Sequence, residues 1–174
     1  MTEILPLVDK TGIIIGQAPR AECHASKDLI HPVILCWIFN DNGEVLCQQR
    51  SLKKDIGAGD WDIVCGGHIK LGSSPEQTVL EELEEELGIT DVSPVLVGNY
   101  LIETNKTTEF AYVYFCIINK DINEFTIQLE EVEQVKWEGL PNAIKLFEHS
   151  GIKDKNLFLL DQLILVVPFL IRTK

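Results

Sequence analysis

Glu82, Glu85 and Glu86 are the residues whose spacing most directly implies chemistry. At i, i+3 and i+4 they fall on one side of a helix, with Glu81 and Glu84 flanking them. Like charges one turn apart, Glu81 with Glu85 and Glu82 with Glu86, cost roughly 0.2–0.5 kcal/mol per pair in an isolated helix. All five lie toward the negative end of the helix dipole, which adds to the cost. A simple solvated face would mix in lysine. A hard divalent cation, which takes oxygen ligands, removes both penalties. A run of acids taken alone reads as a solvated helix face, so its setting has to decide.

The element that must carry these acids is a helix over residues 75–87. Ser74 is a good N-cap, Pro75 suits the first helical position, Gln77 completes a capping box, and Gly88 supplies a left-handed stop. Val79, Leu80, Leu83 and Leu87 form its core-facing stripe. A glycine-rich loop that contains Gly66 and Gly67 leads into it.

Gly67, Glu82, Leu83, Glu85, Glu86, Gly88 and Ile89 together resemble the signature of the Nudix hydrolases, Gly-x5-Glu-x7-Arg-Glu-apolar-x-Glu-Glu-x-Gly-apolar. Two positions depart from it. Ser73 stands where the signature has its first glutamate and Glu81 where it has arginine, the pair that braces loop against helix in the family; Glu76 is the nearby candidate to replace that glutamate. The resemblance implies an α/β (α+β) fold, a Nudix-like α/β/α sandwich with a mixed sheet. It also implies Mg²⁺ or Mn²⁺ held by Glu82, Glu85 and Glu86, with Glu86 or Glu85 activating water, and Gly67 beside the substrate.

His24, His31 and His68 are three of four histidines. Each taken singly reads as surface or satisfied core. Cys23-His24-x6-His31, Trp61-x6-His68 and Glu109 at a strand start resemble the layout of the isopentenyl-diphosphate isomerases, which share the Nudix fold. That resemblance spans about residues 3 to 118. It implies a second divalent metal on His24, His31, His68 and Glu109, with Thr107 at the remaining ligand position. Imidazole with carboxylate suits zinc or manganese better than calcium. It also places Arg50 and Lys54 on diphosphate-holding positions, which their fork and mobile charge fit; the alternative for Arg50, Lys53 and Lys54 is a solvated loop. The isomerases' catalytic cysteine falls on Gly66, and Cys65 lies one residue earlier, on the opposite face of a strand. Cys65 therefore reads as core packing, and the full set of glutamates points to hydrolysis.

The chain of 174 residues, 45% apolar and 24% charged, suits a single Nudix domain over 1–174. A net charge of −12 argues against nucleic-acid or anionic-membrane partners, which need basic faces. The five cysteines have no metal or redox spacing and no apolar signal core opens the chain, so a reduced, cytoplasmic protein is expected. The apolar stretch from Leu157 to Ile171 is too short for a typical span and is broken by Asp161, Gln162 and Pro168. It reads as a terminal helix, buried in its own core or shared in a homodimer.

In order, the expected elements are a hairpin of Ile4–Val8 with Ile13–Ile15 and a helical turn within 19–28. A second hairpin joins Val33–Phe39 to Glu44–Arg50, with a loop at 51–60 and a strand at Trp61–Cys65 after it. Beyond the acidic helix come two central strands, Val95–Glu103 and Glu109–Ile118, then a strand at Glu133–Trp137. Helices at Leu140–His149 and Lys155–Arg172 follow, the last kinked or ended near Pro168. The expected activity is metal-dependent hydrolysis of a diphosphate linkage in a small molecule, such as a nucleoside diphosphate derivative, with Glu130 and Glu131 as candidate bases or surface residues. The alternatives are a divergent isopentenyl-diphosphate isomerase and a non-catalytic diphosphate-binding protein.

Overall fold

The computed structural model describes residues 3–148 and 151–163. Its strands are β1 (Ile4–Val8), β2 (Ile14–Pro19), β3 (His31–Phe39), β4 (Val45–Arg50), β5 (Trp61–Asp62), β6 (Cys65–His68), β7 (Val95–Glu103), β8 (Thr108–Ile117) and β9 (Val132–Glu138). Its helices are α1 (Arg20–Cys23), α2 (Pro75–Leu87), α3 (Leu140–Phe147) and α4 (Lys153–Leu163).

β3 is buried along its whole length, as a strand covered on both faces must be. Its odd residues Val33, Leu35, Trp37 and Phe39 join the core with Phe147 of α3 and Leu159 of α4. The even residues Ile34, Cys36 and Ile38 pack with Val79, Leu83 and Leu87 of α2. This alternation makes the sandwich: α2 on one face, α3 and α4 on the other. The sheet runs β5-β4-β3-β8-β7, with β6 also on β3 and β9 on β4. β3 and β8 are parallel and the other pairs antiparallel, so the sheet is mixed as expected. β1 and β2 form the expected N-terminal hairpin, with its second strand extended to Pro19.

Three local expectations are corrected. The second hairpin is one pair deep, Phe39 with Val45. Beyond it β3 pairs with β6 from Val33–His68 to Cys36–Cys65, while β4 turns away to β5 and β9. The strands part because β6 occupies the edge of β3 that β4 would have followed. Second, Gly66 and Gly67 lie in β6 and not in a loop; neither has a positive φ, so their value is the missing side chain. Third, β7 is an edge strand, not a central one, with Val95 and Leu96 exposed.

α2 begins and ends where expected, with the Ser74–Gln77 capping box formed and Gly88 left-handed at φ 66°. Leu80, however, is 42% exposed. It lies about 100° around the helix from Val79, outside the stripe Val79–Leu83–Leu87; Thr78 is buried instead and donates to the Ser74 carbonyl at 3.0 Å. The terminal helix is seen as α4, whereas the expectations for His149, Pro168 and residues 164–172 lie outside the described residues. No described helix is long and apolar enough to cross a membrane.

Candidate active site

The fork where β4 and β6 separate opens into a cleft of about 640 Å³, lined from β3, β4, β6, α2, the 51–60 loop, the 104–107 turn and the start of α4. Glu82, Glu85 and Glu86 all line it; Glu81 and Glu84 are exposed and do not. Gly67 faces α2 so closely that a Cβ there would overlap the Glu82 carboxylate. Glu86 is only 6% exposed. Its Oε2 accepts from the Cys65 thiol at 3.2 Å and from Gln48 Nε2 at 3.4 Å.

Burial, then Glu86 and Glu85, push Glu82 up to about 7. Burial also raises Glu86 to about 7, with Glu131 adding to the effect and the Cys65 and Gln48 hydrogen bonds opposing it. Clustered carboxylates that hold protons this tightly are poorly solvated anions, the condition that a hard divalent cation relieves. The donor set therefore fits a hard divalent cation. Ser73 lies in the loop before α2. Glu76 lies near Tyr114, where burial first and this carboxylate second raise the phenol to about 12, and it does not line the cleft.

Arg50 and Lys54 both line the cleft. Arg50 Nε donates to the Ile56 carbonyl at 3.1 Å, and Lys54 forms an ion pair with Glu131. Glu131 thus sits inside the cleft, unlike Glu130, which is on the surface with Lys53 at 3.4 Å. Arg20, Lys70, Lys106 and Lys155 also line the cleft, whose lining mixes these cations with carboxylates that include Glu3, Asp62, Glu109 and Asp154. Arg20 ties the 51–60 loop to α1 through Asp55 at 2.8 and 3.2 Å, and Lys155 ties α4 to the buried Asp62 at 3.3 Å.

Sequence reasoning missed Gln48, although it lies two residues before Arg50 on one strand, a spacing that favours a shared face. Arg20, Lys70, Lys106 and Lys155 had no local signal, since only folding brings them to one opening.

The histidines also converge. His24, His31 and His68 each place a ring nitrogen within 4.8 Å of the others. His24 Nε2 and His68 Nε2 are 3.0 Å apart, while His24 Nδ1 and His31 Nε2 are buried without partners. Burial first, then neighbouring cations and imidazoles, lowers His24 to about 4 and His68 to about 3. The neutral ring is the metal-binding form. Glu109 lines the same cleft opposite His31 in the β3–β8 register, but it is not in this group of three. Thr107 bonds with Thr104 across the turn.

Cys65 is buried with its thiol against Glu86, and burial first, then that carboxylate, raises it well above the ordinary thiol value. At Gly66 a Cβ would lie 2.8 Å from the backbone oxygen of Ile34 and 2.9 Å from Leu35 Cδ2. The thiol that the isomerase layout requires has no space.

Comparison with known proteins identifies the family and the fold. The NUDIX domain family model matches residues 29–159. Isopentenyl-diphosphate Delta-isomerase 2 of Photorhabdus laumondii is 34% identical over 143 residues, 80% of this chain and 79% of that protein. A Nudix hydrolase of Clostridium acetobutylicum is 32% identical over 140 residues, 75% of this chain and 66% of that one. A crystal structure from Deinococcus radiodurans shares the fold, with a TM-score of 0.73 and 17% identity over 88% of this chain and 96% of the other. The chain belongs to the Nudix family, in a branch whose members are named both Nudix hydrolases and isopentenyl-diphosphate isomerases.

Proposed function

We propose that this protein is a divalent-metal-dependent pyrophosphohydrolase that cleaves a diphosphate linkage in a small molecule such as a nucleoside diphosphate derivative. The observation that carries this reading is the carboxylate cluster of Glu82, Glu85 and Glu86 on α2, with Glu86 buried and Glu82 closed against Gly67, in a cleft that Arg50 and Lys54 also line. Glu82, Glu85 and Glu86 would hold Mg²⁺ or Mn²⁺. Such an ion supplies a polarised phosphoryl oxygen, charge neutralisation and a water of lowered pKa.

The chain's own residues then have distinct tasks. Arg50 and Lys54 grip the diphosphate oxygens and hold the linkage over the carboxylates. Glu86 or Glu85 would activate the attacking water, with Glu131, ion-paired to Lys54 in the cleft, a further candidate to accept its proton. The three histidines, with Glu109 nearby, would form a separate site for a second divalent ion such as zinc or manganese. Free, buried cysteines suit a reducing cytoplasm.

The test is release of phosphate or nucleoside monophosphate from a panel of diphosphates with Mg²⁺, Mn²⁺ or chelator. Metal-dependent turnover is expected, falling about 10²–10³-fold in Glu86→Ala and Glu85→Ala, as when an electrostatic stabiliser is removed. Wild-type rates in both variants would sink the mechanism. Nucleotide binding by calorimetry with no turnover anywhere in the panel would select the non-catalytic reading.

The isomerase reading is favoured by the named relatives and the histidine cluster, but opposed at Gly66. Gly66→Cys is expected to destabilise the fold by about 1–3 kcal/mol, the usual cost of overpacking, without producing interconversion of the two five-carbon diphosphates. Thermal unfolding and an exchange assay check both parts; a stable variant with isomerase activity would reverse the assignment.

A further inference from the structure

The hydrogen bonds to Glu86 are asymmetric. Both described donors, Cys65 Sγ at 3.2 Å and Gln48 Nε2 at 3.4 Å, reach the same oxygen, Oε2. They come from two different strands, β6 and β4, on either side of the fork. Gln48 is itself fixed, since its Nε2 also donates to the Val64 carbonyl at 3.0 Å. Cys65 is fixed by its place in the α2-side core and in the β3–β6 register opposite Cys36.

From this geometry we infer that Cys65 and Gln48 are positioning residues, which pin Glu86 through Oε2 so that Oε1 is the oxygen presented to a divalent cation in the cleft. The inference rests on the proposed role of Glu86 as a ligand. Both act through Glu86, so each is assigned a positioning and not a catalytic role.

The donor chemistry suits the task. A carboxylate with no fixed partner samples several rotamers, and a flexible ligand loses conformational entropy when it binds. Lysine or arginine would hold Glu86 firmly but neutralise it and compete with the cation. A thiol and a carboxamide are neutral donors, and the thiol a weak one. They orient the carboxylate while leaving its charge for the metal. Such outer partners of a ligand typically change metal affinity 10–100-fold when removed. Cys65 thus has a role besides core packing, and one unlike nucleophilic attack.

The test is Mn²⁺ titration of the full chain without substrate, followed by electron paramagnetic resonance. Glu86→Gln identifies which bound Mn²⁺ belongs to the carboxylates and which to the histidines. At the carboxylate site, Cys65→Ala is expected to weaken binding about 10-fold, while Cys65→Ser, which keeps a donor, stays within about threefold of wild type. Gln48→Met, similar in shape but without donors, is expected to weaken binding by a comparable factor, and it carries the test if Cys65→Ala does not fold. A purely packing role predicts lowered unfolding temperatures with unchanged Mn²⁺ affinity; that result in both donor-less variants would overturn the inference. Retention of the carboxylate-site signal in Glu86→Gln would overturn it too. Because no substrate is present, weakened binding in a protein that turns over nothing would uphold this inference while removing the hydrolase reading.

Discussion

Gly67→Ala is expected to abolish metal-dependent turnover and weaken Mn²⁺ binding at the carboxylates up to about 100-fold, while leaving the protein folded. Two observations separate these outcomes. Gly67 has no positive φ and lies in strand β6, so alanine is compatible with its backbone. The clash falls instead on the Glu82 carboxylate, the far end of a flexible side chain. Glu82 can rotate away without moving the helix, but it then leaves the place beside Glu86 where the cation would be held. The unfolding temperature should move by only a few degrees, as for a change near 1 kcal/mol. Mn²⁺ titration, turnover and thermal unfolding on one preparation check the claim. Wild-type Mn²⁺ affinity in the variant would show that Glu82 is not a ligand in the position seen.

The second large effect is on stability and pH. Glu82 and Glu86 are raised from 4.5 to about 7, with burial the leading cause in both. In the metal-free protein the folded state therefore binds protons more tightly than the unfolded chain. Their contribution to stability falls as pH rises from about 4.5 to about 7, then levels. His24 and His68 act in the opposite sense. Lowered from 6.5 to about 4 and about 3, they make the fold less stable as pH falls below 6.5. The wild-type curve mixes the two, so the decisive measurement is the difference between wild type and Glu82→Gln, in which the histidines largely cancel.

Without metal, Glu82→Gln should be the more stable protein at pH 8, by about 2 kcal/mol, since it removes a poorly solvated anion and lets Glu86 ionise more easily. The gap should close by about pH 4, where both carboxyls are protonated in either state. Saturating Mn²⁺ should reverse the order at pH 8, because an ion that binds only the folded state stabilises it by mass action. Denaturant unfolding at several pH values, with Mn²⁺ or chelator, gives all three results. A gap that does not change with pH would mean that Glu82 is ordinarily solvated.

The amino-acid sequence by itself determined what depends on neighbours along the chain. The limits of α2 follow from Ser74, Pro75, Gln77 and Gly88, whose capping chemistry acts within one helical turn. That Glu82, Glu85 and Glu86 share one side of α2 follows from helical spacing, and the family from the longer pattern running from Gly67 to Ile89. The hairpin at Ile4–Val8 was legible for the same reason, because Asp9 accepts from the amides of Thr11 and Ile13 within its own turn.

Tertiary structure decided what depends on distant strands sharing an edge. β6, not β4, takes most of one edge of β3, and the fork that results creates the cleft. Local propensity does not encode which of two competent strands wins an edge. The same event gives Gly66 and Gly67 their roles, through the Ile34 carbonyl on one side and the Glu82 carboxylate on the other. It brings together His31 of β3, His68 of β6 and His24, which follows α1, and Glu131 pairs with Lys54 in the cleft. It also sets Cys65 and Gln48 on one oxygen of Glu86, a convergence of residues 48, 65 and 86 that only the packing of α2 across the fork could produce.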